Sequence, residues 1–445
     1  VTQHRSTQNL PRPAASRKRR QRRGLALGCG ILLAFAPNAL SQPLEIHTLA
    51  GRPIPGSAEG YGSNARFNNP AGVAADSTGN VFVADTWNGT VRRITPDGNV
   101  RTLAGLAGSW GANDGNGTNA QFCMPQGIAV DAAGALYVAD TGNAAVRRIS
   151  PAGTVDTFAG TPGDANSFDG TGTNAQFHHP EGVAVDRGGN IYVADTWNHT
   201  IRKIRPGGET TTLAGLAGCP GSADGTNSKA RLNRPAGIAM DAGTNLFVTD
   251  SLNHTIRMIT ASGKTTTIAG MPGVWGHADG SNSAARFFQP QGIAIDAAGR
   301  IIVADSGNHT LRRITPSGTN WIVSTIAGVA GSAGYTNASG DAARFSFPAS
   351  LAVDGAGYLY IADSANHLVR TTRVVPPTLR LKTAGNHLGL TWPTSSAGFI
   401  VQFSQGLGAS ETWSGLTNAV VDLGDNFAIT IPVETAAGYY RLRQP

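Results

Sequence analysis

Short apolar runs of four or five residues alternate with Gly-, Asn- and Asp-rich breaks along most of this chain. One stretch shows the unit. Gly182-Val183-Ala184-Val185-Asp186 and Ile191-Tyr192-Val193-Ala194-Asp195 are apolar runs separated by Arg187-Gly188-Gly189-Asn190. Thr196-Trp197-Asn198-His199 is the next break, followed by Thr200-Ile201-Arg202-Lys203-Ile204. After Arg205-Pro206-Gly207-Gly208 comes Thr210-Thr211-Thr212-Leu213-Ala214. The runs lack a helical period, and each reads as a strand, giving four antiparallel strands per unit.

The unit recurs. A marker, P-x-[GS]-[VIL]-A-x-D, begins at Pro70, Pro125, Pro180, Pro235, Pro290 and Pro348, and the first five are 55 residues apart. Each is followed by an A/T-D-[TS] step (Asp85, Asp140, Asp195, Asp250, Asp305, Asp363). An Asn stands three residues later and an Arg four beyond that, from Asn88 and Arg92 to Asn366 and Arg370. Units of this size cannot bury their own apolar faces, so stacking them must create the core. Four-stranded units in a closed array predict a β-propeller. The sixth unit has no fourth strand, since Thr371-Thr372-Arg373 runs into Pro376-Pro377. Leu44-Glu45-Ile46-His47-Thr48-Leu49-Ala50-Gly51 copies the fourth-strand sequence Val100-Arg101-Thr102-Leu103-Ala104-Gly105. The expected fold is therefore all-β: a six-bladed propeller closed by its N-terminal strand, followed by a small β-sandwich.

The second break of each unit resembles the NHL repeat, named for Asn-His-Leu. It reads Asn198-His199, Asn253-His254, Asn308-His309 and Asn366-His367-Leu368, with Asn88-Gly89 and Asn143-Ala144 as departures. The resemblance covers roughly residues 44–373 and implies a propeller of the secreted bacterial type. Propellers of this family include peptide-amidating lyases, sensor domains of bacterial kinases and RNA-binding regulators, so the resemblance leaves the activity open.

Residues present in every blade are explained first by what every blade needs. The Asn-[HGA] pair suits a two-residue type I′ hairpin with positive φ at both positions. That turn would set each Asp directly opposite its Arg as a cross-strand ion pair worth about 0.2–1 kcal/mol. The histidines read as turn residues rather than ligands.

Charge separates two parts of the chain. The net charge of +7 includes eight Lys and Arg within residues 1–23, where there is no acid. The apolar stretch Gly24 to Ala36 and the small residues of Ala39-Leu40-Ser41 follow, the layout of a secretory signal over residues 1–41. Arg22-Arg23 is compatible with twin-Arg export. Without those eight, 27 basic residues face 28 acidic ones. An RNA-binding propeller needs a basic face, so nucleic acid is not an expected partner. The remaining chain carries no membrane span, and a monomer in the periplasm, at the cell surface or outside the cell is expected. Outside the leader, Cys123 and Cys219 are too few for a disulfide framework, though one bridge between them is open.

Function should sit where blades differ. The link between blades is about 20 residues long, as in Gly105–Pro125, and emerges on the same face as the second break. The pair before each marker proline varies, supplying Met124, His178, His179, Arg234 and Gln289 at the channel mouth. Trp87 and Trp197 lie in second breaks and Trp110 and Trp275 in links, and indoles suit sugar rings or peptide side chains. The links also carry Asp114-Gly115, Asp169-Gly170, Asp224-Gly225 and Asp279-Gly280. With Asn116, Thr118, Asn174 and Asn227 these could hold Ca²⁺, although Asx-turns account for them as well. The lyases of the resembled family hold a metal with histidines from several blades, whereas His178 and His179 come from one. Zinc there is the second metal alternative, and no cofactor is otherwise expected. No catalytic set of residues is visible. The expected function is an exported scaffold presenting its loop-rich face to a protein, peptide or glycan. A metal-dependent lyase or hydrolase at the channel mouth, and an envelope component without a ligand, are the alternatives.

Beyond Pro376 the period is lost, and five alternating segments between Leu379 and Leu442 read as strands. Leu390-Thr391-Trp392-Pro393 and Tyr439-Tyr440-Arg441-Leu442 resemble the fibronectin-III-like modules that end many secreted bacterial proteins. The domains are thus the leader 1–41, the propeller 42–375 and the module 376–445.

Overall fold

The computed structural model describes residues 44–373 continuously, then 380–384, 387–393, 400–404, 412–416, 420–422, 426–432 and 439–443. The leader assigned to residues 1–41 lies outside the described residues. Six antiparallel sheets form the blades of a propeller, and among the described residues no helix exceeds a three-residue 3-10 turn. In the third blade the strands from the axis outwards are Pro180–Val185, Ile191–Asp195, Thr200–Ile204 and Glu209–Gly215. A fifth strand of two residues, Gly170–Thr171, adds to the outer edge, pairing Gly170 with Thr210. Every blade has this fifth strand, supplied by the link that precedes it. Two residues are too few to show a period, so the four-strand unit expected from the sequence was one strand short.

Ring closure is as the sequence implies. Glu45–Gly51 pairs with Leu368–Thr371 of the last blade, joining His47 to Thr371 and Gly51 to Leu368. It also pairs with the two-residue outer strand Ala338–Ser339. Core clusters lie between blades. One of them joins Leu49, Phe67, Val73 and Val83 to Tyr360 and Val369 across the seam.

Two glycine positions require glycine. The marker glycine lies at the axis, where neighbouring first strands almost touch: a Cβ on Gly127 would sit 2.0 Å from the Glu181 carbonyl oxygen, and one on Gly182 would sit 2.1 Å from that of Ala236. The glycine closing each fourth strand has positive φ, as at Gly215 (+92°), and a Cβ there would meet the His199 carbonyl at 2.4 Å. At the seam Ser350 replaces the marker glycine, and its Oγ accepts a hydrogen bond from the Val73 N–H of the first blade. The marker aspartate holds the first turn: Oδ1 of Asp186 accepts from the N–H groups of Gly188 and Asn190.

Towards the C-terminus, Arg380–Ala384, His387–Pro393, Asn426–Pro432 and Val421–Asp422 form one antiparallel sheet. Ser414–Gly415, Ile400–Ser404 and Tyr439–Arg443 form another. Leu388, Leu390, Ile429 and Ile431 of the first sheet and Val401 of the second share a buried cluster. No helix among the described residues is long and apolar enough to cross a membrane.

Candidate functional site

Each second break is a three-residue 3-10 turn capped by one left-handed residue. In the third blade this is Thr196–Asn198 with His199 at φ +59°. A two-residue hairpin with both φ positive does not occur there, and the register changes with it. Asp195 stands opposite Thr200, and Arg202 opposite Val193. The Asp–Arg contact is made by side chains, and it is fully buried rather than on the surface. Asp195 Oδ1 accepts from the His178 N–H at 2.7 Å, and Oδ2 from Asn198 Nδ2 and Arg202 Nη1, each at 2.8 Å. Arg202 also donates to the carbonyls of Gln176 and Phe168 and lies 5.1 Å over the Phe177 ring. All six blades contain the Asp–Asn–Arg set. Burial pushes Asp85, Asp140, Asp250 and Asp305 up to about 6, against the hydrogen bonds and guanidinium that favour the carboxylate.

The same arginine accounts for the acidic links. Arg202 Nη2 donates to Asp169 Oδ1 at 2.7 Å, and Thr212 Oγ1 donates to that oxygen at 3.0 Å. Asp114, Asp224 and Asp279 serve Arg147, Arg257 and Arg312 in the same way. A guanidinium at bonding distance occupies the place that Ca²⁺ would need, so the calcium alternative at Asp114, Asp169, Asp224 and Asp279 is set aside. Cys123 and Cys219 are free thiols, not a bridge.

The histidines of the second break do more than turn the chain. The residue before each marker proline is left-handed although none is glycine: Asn69, Met124, His179, Arg234, Gln289 and Phe347 have φ between +47° and +55°. Such backbone is costly, about 1–3 kcal/mol each, and must be held by its surroundings. His199 Nδ1 accepts the Arg234 N–H at 3.1 Å. His254, His309 and His367 do the same for Gln289, Phe347 and Asn69, each in the next blade round. Burial lowers the pKa of all four rings, favouring the neutral form that can accept. Gly89 and Ala144 provide no such acceptor, so Met124 and His179 lack this clamp. Gly89 also leaves room for Trp110, whose Cδ1 lies 3.0 Å from where its Cβ would be.

These left-handed residues ring the channel mouth on the face that carries the links. Below them the channel is lined by the residues after the prolines, Ala71, Gln126, Glu181, Ala236, Gln291 and Ala349, and then by aliphatic side chains. Its volume is about 80 Å³, enough for a few waters. Burial pushes the Glu181 carboxyl up to about 7, a rise that nearby Arg234 only partly offsets. Four of the expected site residues meet at one place on the rim. His179 stacks on Trp197 with centroids 4.8 Å apart, His178 lies 5.2 Å from the same indole, and the Arg234 guanidinium sits 4.5 Å over it. Trp275 belongs to a second cluster, 5.1 Å from Phe288, which in turn is 5.9 Å from His254. Trp87, Trp110, Trp197 and Trp275 are 40–65% exposed. Met124 and Gln289 take their places on the mouth ring but touch neither cluster through a ring contact among the described residues. No group of three His, Cys, Asp or Glu side chains able to hold a metal occurs among the described residues.

The NHL repeat model matches residues 67–94, 122–149, 177–204 and 287–314. This chain carries NHL repeats. Among curated NHL relatives, Homo sapiens NHL repeat-containing protein 2 is 28% identical over 303 residues, covering 60% of this chain and 42% of that protein. Mus musculus Teneurin-3 is 27% identical over 361 residues, 73% of this chain and 13% of its own length. The chain therefore spans less than half of the curated relatives it matches. Among solved structures, an auxiliary nutrient binding protein from Bacteroides ovatus superposes with a TM-score of 0.56 at 18% identity, covering 74% of this chain and 76% of that one. A Bacteroides thetaiotaomicron protein of unknown function gives 0.57 at 20%, covering 74% and 75%. At such identities the likeness is one of fold.

Two NHL-propeller features escaped the sequence reading. Glu181, Gln126 and Gln291 occupy the first of the two variable positions inside an otherwise regular marker, a signal that was present. Phe288 was visible only as a varying residue. Its tilted ring contact with Trp275, and its place beside Gly307, where a Cβ would lie 2.5 Å from its ring, come from the fold.

Proposed function

We propose that this NHL propeller is an exported binding scaffold, a monomer whose link-bearing face receives a peptide, protein or glycan over the channel mouth. The observation that carries this reading is the set of half-exposed indoles on that face, two of them in ring contact with residues at which the blades differ. Exposed aromatic area concentrated on one face of a rigid scaffold favours recognition. The channel, about 80 Å³ in volume, is too small for the body of a substrate, which favours a partner on the rim. Export rests on the basic and apolar leader and on the balanced charge of the remainder. The segment 376–445 is proposed as an accessory module of fibronectin-III-like type. A binding role is preferred to a metal-dependent lyase because such a site needs about three protein ligands, and His178 and His179 have no third partner among the described residues.

Glycan and peptide arrays probed with the purified protein test the reading. A Trp197→Ala/Trp275→Ala double variant with an unchanged circular dichroism spectrum should lose the bound features. Lys264→Ala, at the opposite end of its strand, should keep them. Features that survive the double variant intact would sink the proposal.

A further inference from the structure

Every buried arginine of the blades has its own aspartate, whereas the exposed Arg234 has none. Among the described residues no carboxylate lies within ion-pair distance of its guanidinium, which donates no hydrogen bond and rests only on the Trp197 ring. The neighbouring imidazoles of His178 and His179 likewise make ring contacts without a hydrogen-bond partner. Three basic side chains therefore converge on one indole with no acceptor between them. The position is built by the fold: His179 and Arg234 are the left-handed rim residues of successive blades, and His199 holds the Arg234 backbone in place.

Resting on the binding reading above, we infer that the Trp197 cluster is a receptor for a single carboxylate on a mostly uncharged ligand. Arg234 offers a planar fork that matches a carboxylate with two parallel hydrogen bonds. The His178 and His179 imidazoles add N–H donors, and the free part of the Trp197 ring accepts the flat or apolar body beside the acid. A single carboxylate is indicated because Arg234 is the one guanidinium that rests on the Trp197 ring among the described residues, and Trp275, Met271 and Phe347 add exposed apolar area on this face.

The charged groups facing the site set its pH dependence. Arg234 is the fixed cation, and the His178, His179 and His199 imidazoles lie around it. Glu181 lies below in the channel, and the Asp195 carboxylate is already committed to Arg202, Asn198 and the His178 N–H. Burial and the neighbouring His178 and Arg234 keep His179 below the ordinary histidine pKa in the free protein. A bound carboxylate reverses that balance, so binding should take up a proton and tighten from pH 8 to pH 6.

Titration calorimetry on the full chain tests this with two probes and their neutral counterparts. One pair is methyl galacturonoside, with its single carboxylate, and methyl galactoside; the other is an apolar tetrapeptide with a free C-terminal carboxylate and the same peptide as its amide. At least one acid should bind while its counterpart does not. Arg234→Gln should weaken that binding about tenfold or more, Arg234→Lys should restore part of it, and Glu181→Gln should preserve or tighten it. The pair that responds identifies the source as a sugar acid or a chain terminus. Neutral probes that bind as well as the acids, or an Arg234→Gln variant of unchanged melting temperature and unchanged affinity, would overturn the carboxylate site. If that binding still depended on Trp197, the scaffold reading would survive. Failure of all four probes to bind would also overturn the carboxylate site, and a simultaneous failure of the arrays would remove the scaffold reading as well.

Discussion

At the scale of single residues, one hydrogen bond shows how the repeat residues close the ring. His367 of the last blade accepts the N–H of left-handed Asn69 in the first, at 3.0 Å. His367→Ala leaves that donor without its partner, at an expected cost of about 1 kcal/mol. Because burial depresses the His367 pKa, the folded state favours the neutral ring. The stabilisation is complete above the ordinary histidine pKa and is lost as pH falls through the lowered value. The buried aspartates run oppositely: their raised values give stability at acid pH that declines as pH rises through about 6. The histidine contribution is therefore the difference between wild type and variant at each pH. Urea unfolding should show a clear gap at pH 8 that closes near pH 5. A gap independent of pH would assign the effect to packing.

At the scale of the element, the inner strand is set by its glycine. Gly127→Ala must displace the Glu181 carbonyl of the next blade, since the new Cβ would lie 2.0 Å from it. The expected loss is about 1–3 kcal/mol or more. Gly355→Ala, in an open turn with nothing within 4 Å of the added carbon, should stay within about 0.5 kcal/mol of wild type. Equal melting temperatures for the two variants would contradict the close approach of the blades at the axis. The 55-residue period made these strands legible, because each apolar run stood between turn residues. The second-break turn was misread because Asn-His and Asn-Gly pairs fit a type I′ hairpin as readily as the end of a 3-10 turn. Only backbone geometry separates them, and it moved every Asp–Arg pair from directly opposed positions to positions two residues out of register, joined by buried side chains.

At the scale of the whole molecule, the closing strand keeps the ring free of an open edge. Deleting residues 44–51 exposes the Leu368–Thr371 strand and removes Leu49 and Ala50 from the seam cluster. Unpaired strand edges template association, so the truncated protein should form oligomers in size-exclusion chromatography with light scattering. A truncated protein that stayed monomeric with an unchanged melting temperature would argue against ring closure by this strand. The candidate site was partly legible at this scale. Blade-to-blade variation pointed to His178, His179, Trp197 and Arg234 one at a time, and the ring brought them together.

The sequence by itself determined the repeat, the blade number, the closing strand and the alternation of the C-terminal strands. Each of these follows from local periodicity or from copying between segments. The tertiary structure alone decided which conserved-looking charges are scaffold and which are free. Arg202 and Arg234 are both arginines in a blade, yet one is enclosed by Asp195, Asp169 and Phe177, whereas the other lies open on an indole. That difference depends on what neighbouring blades bring within a few ångströms. Apart from Asp195, which is seven positions from Arg202, such contacts join residues 25 to 298 positions apart, beyond the reach of any local pattern.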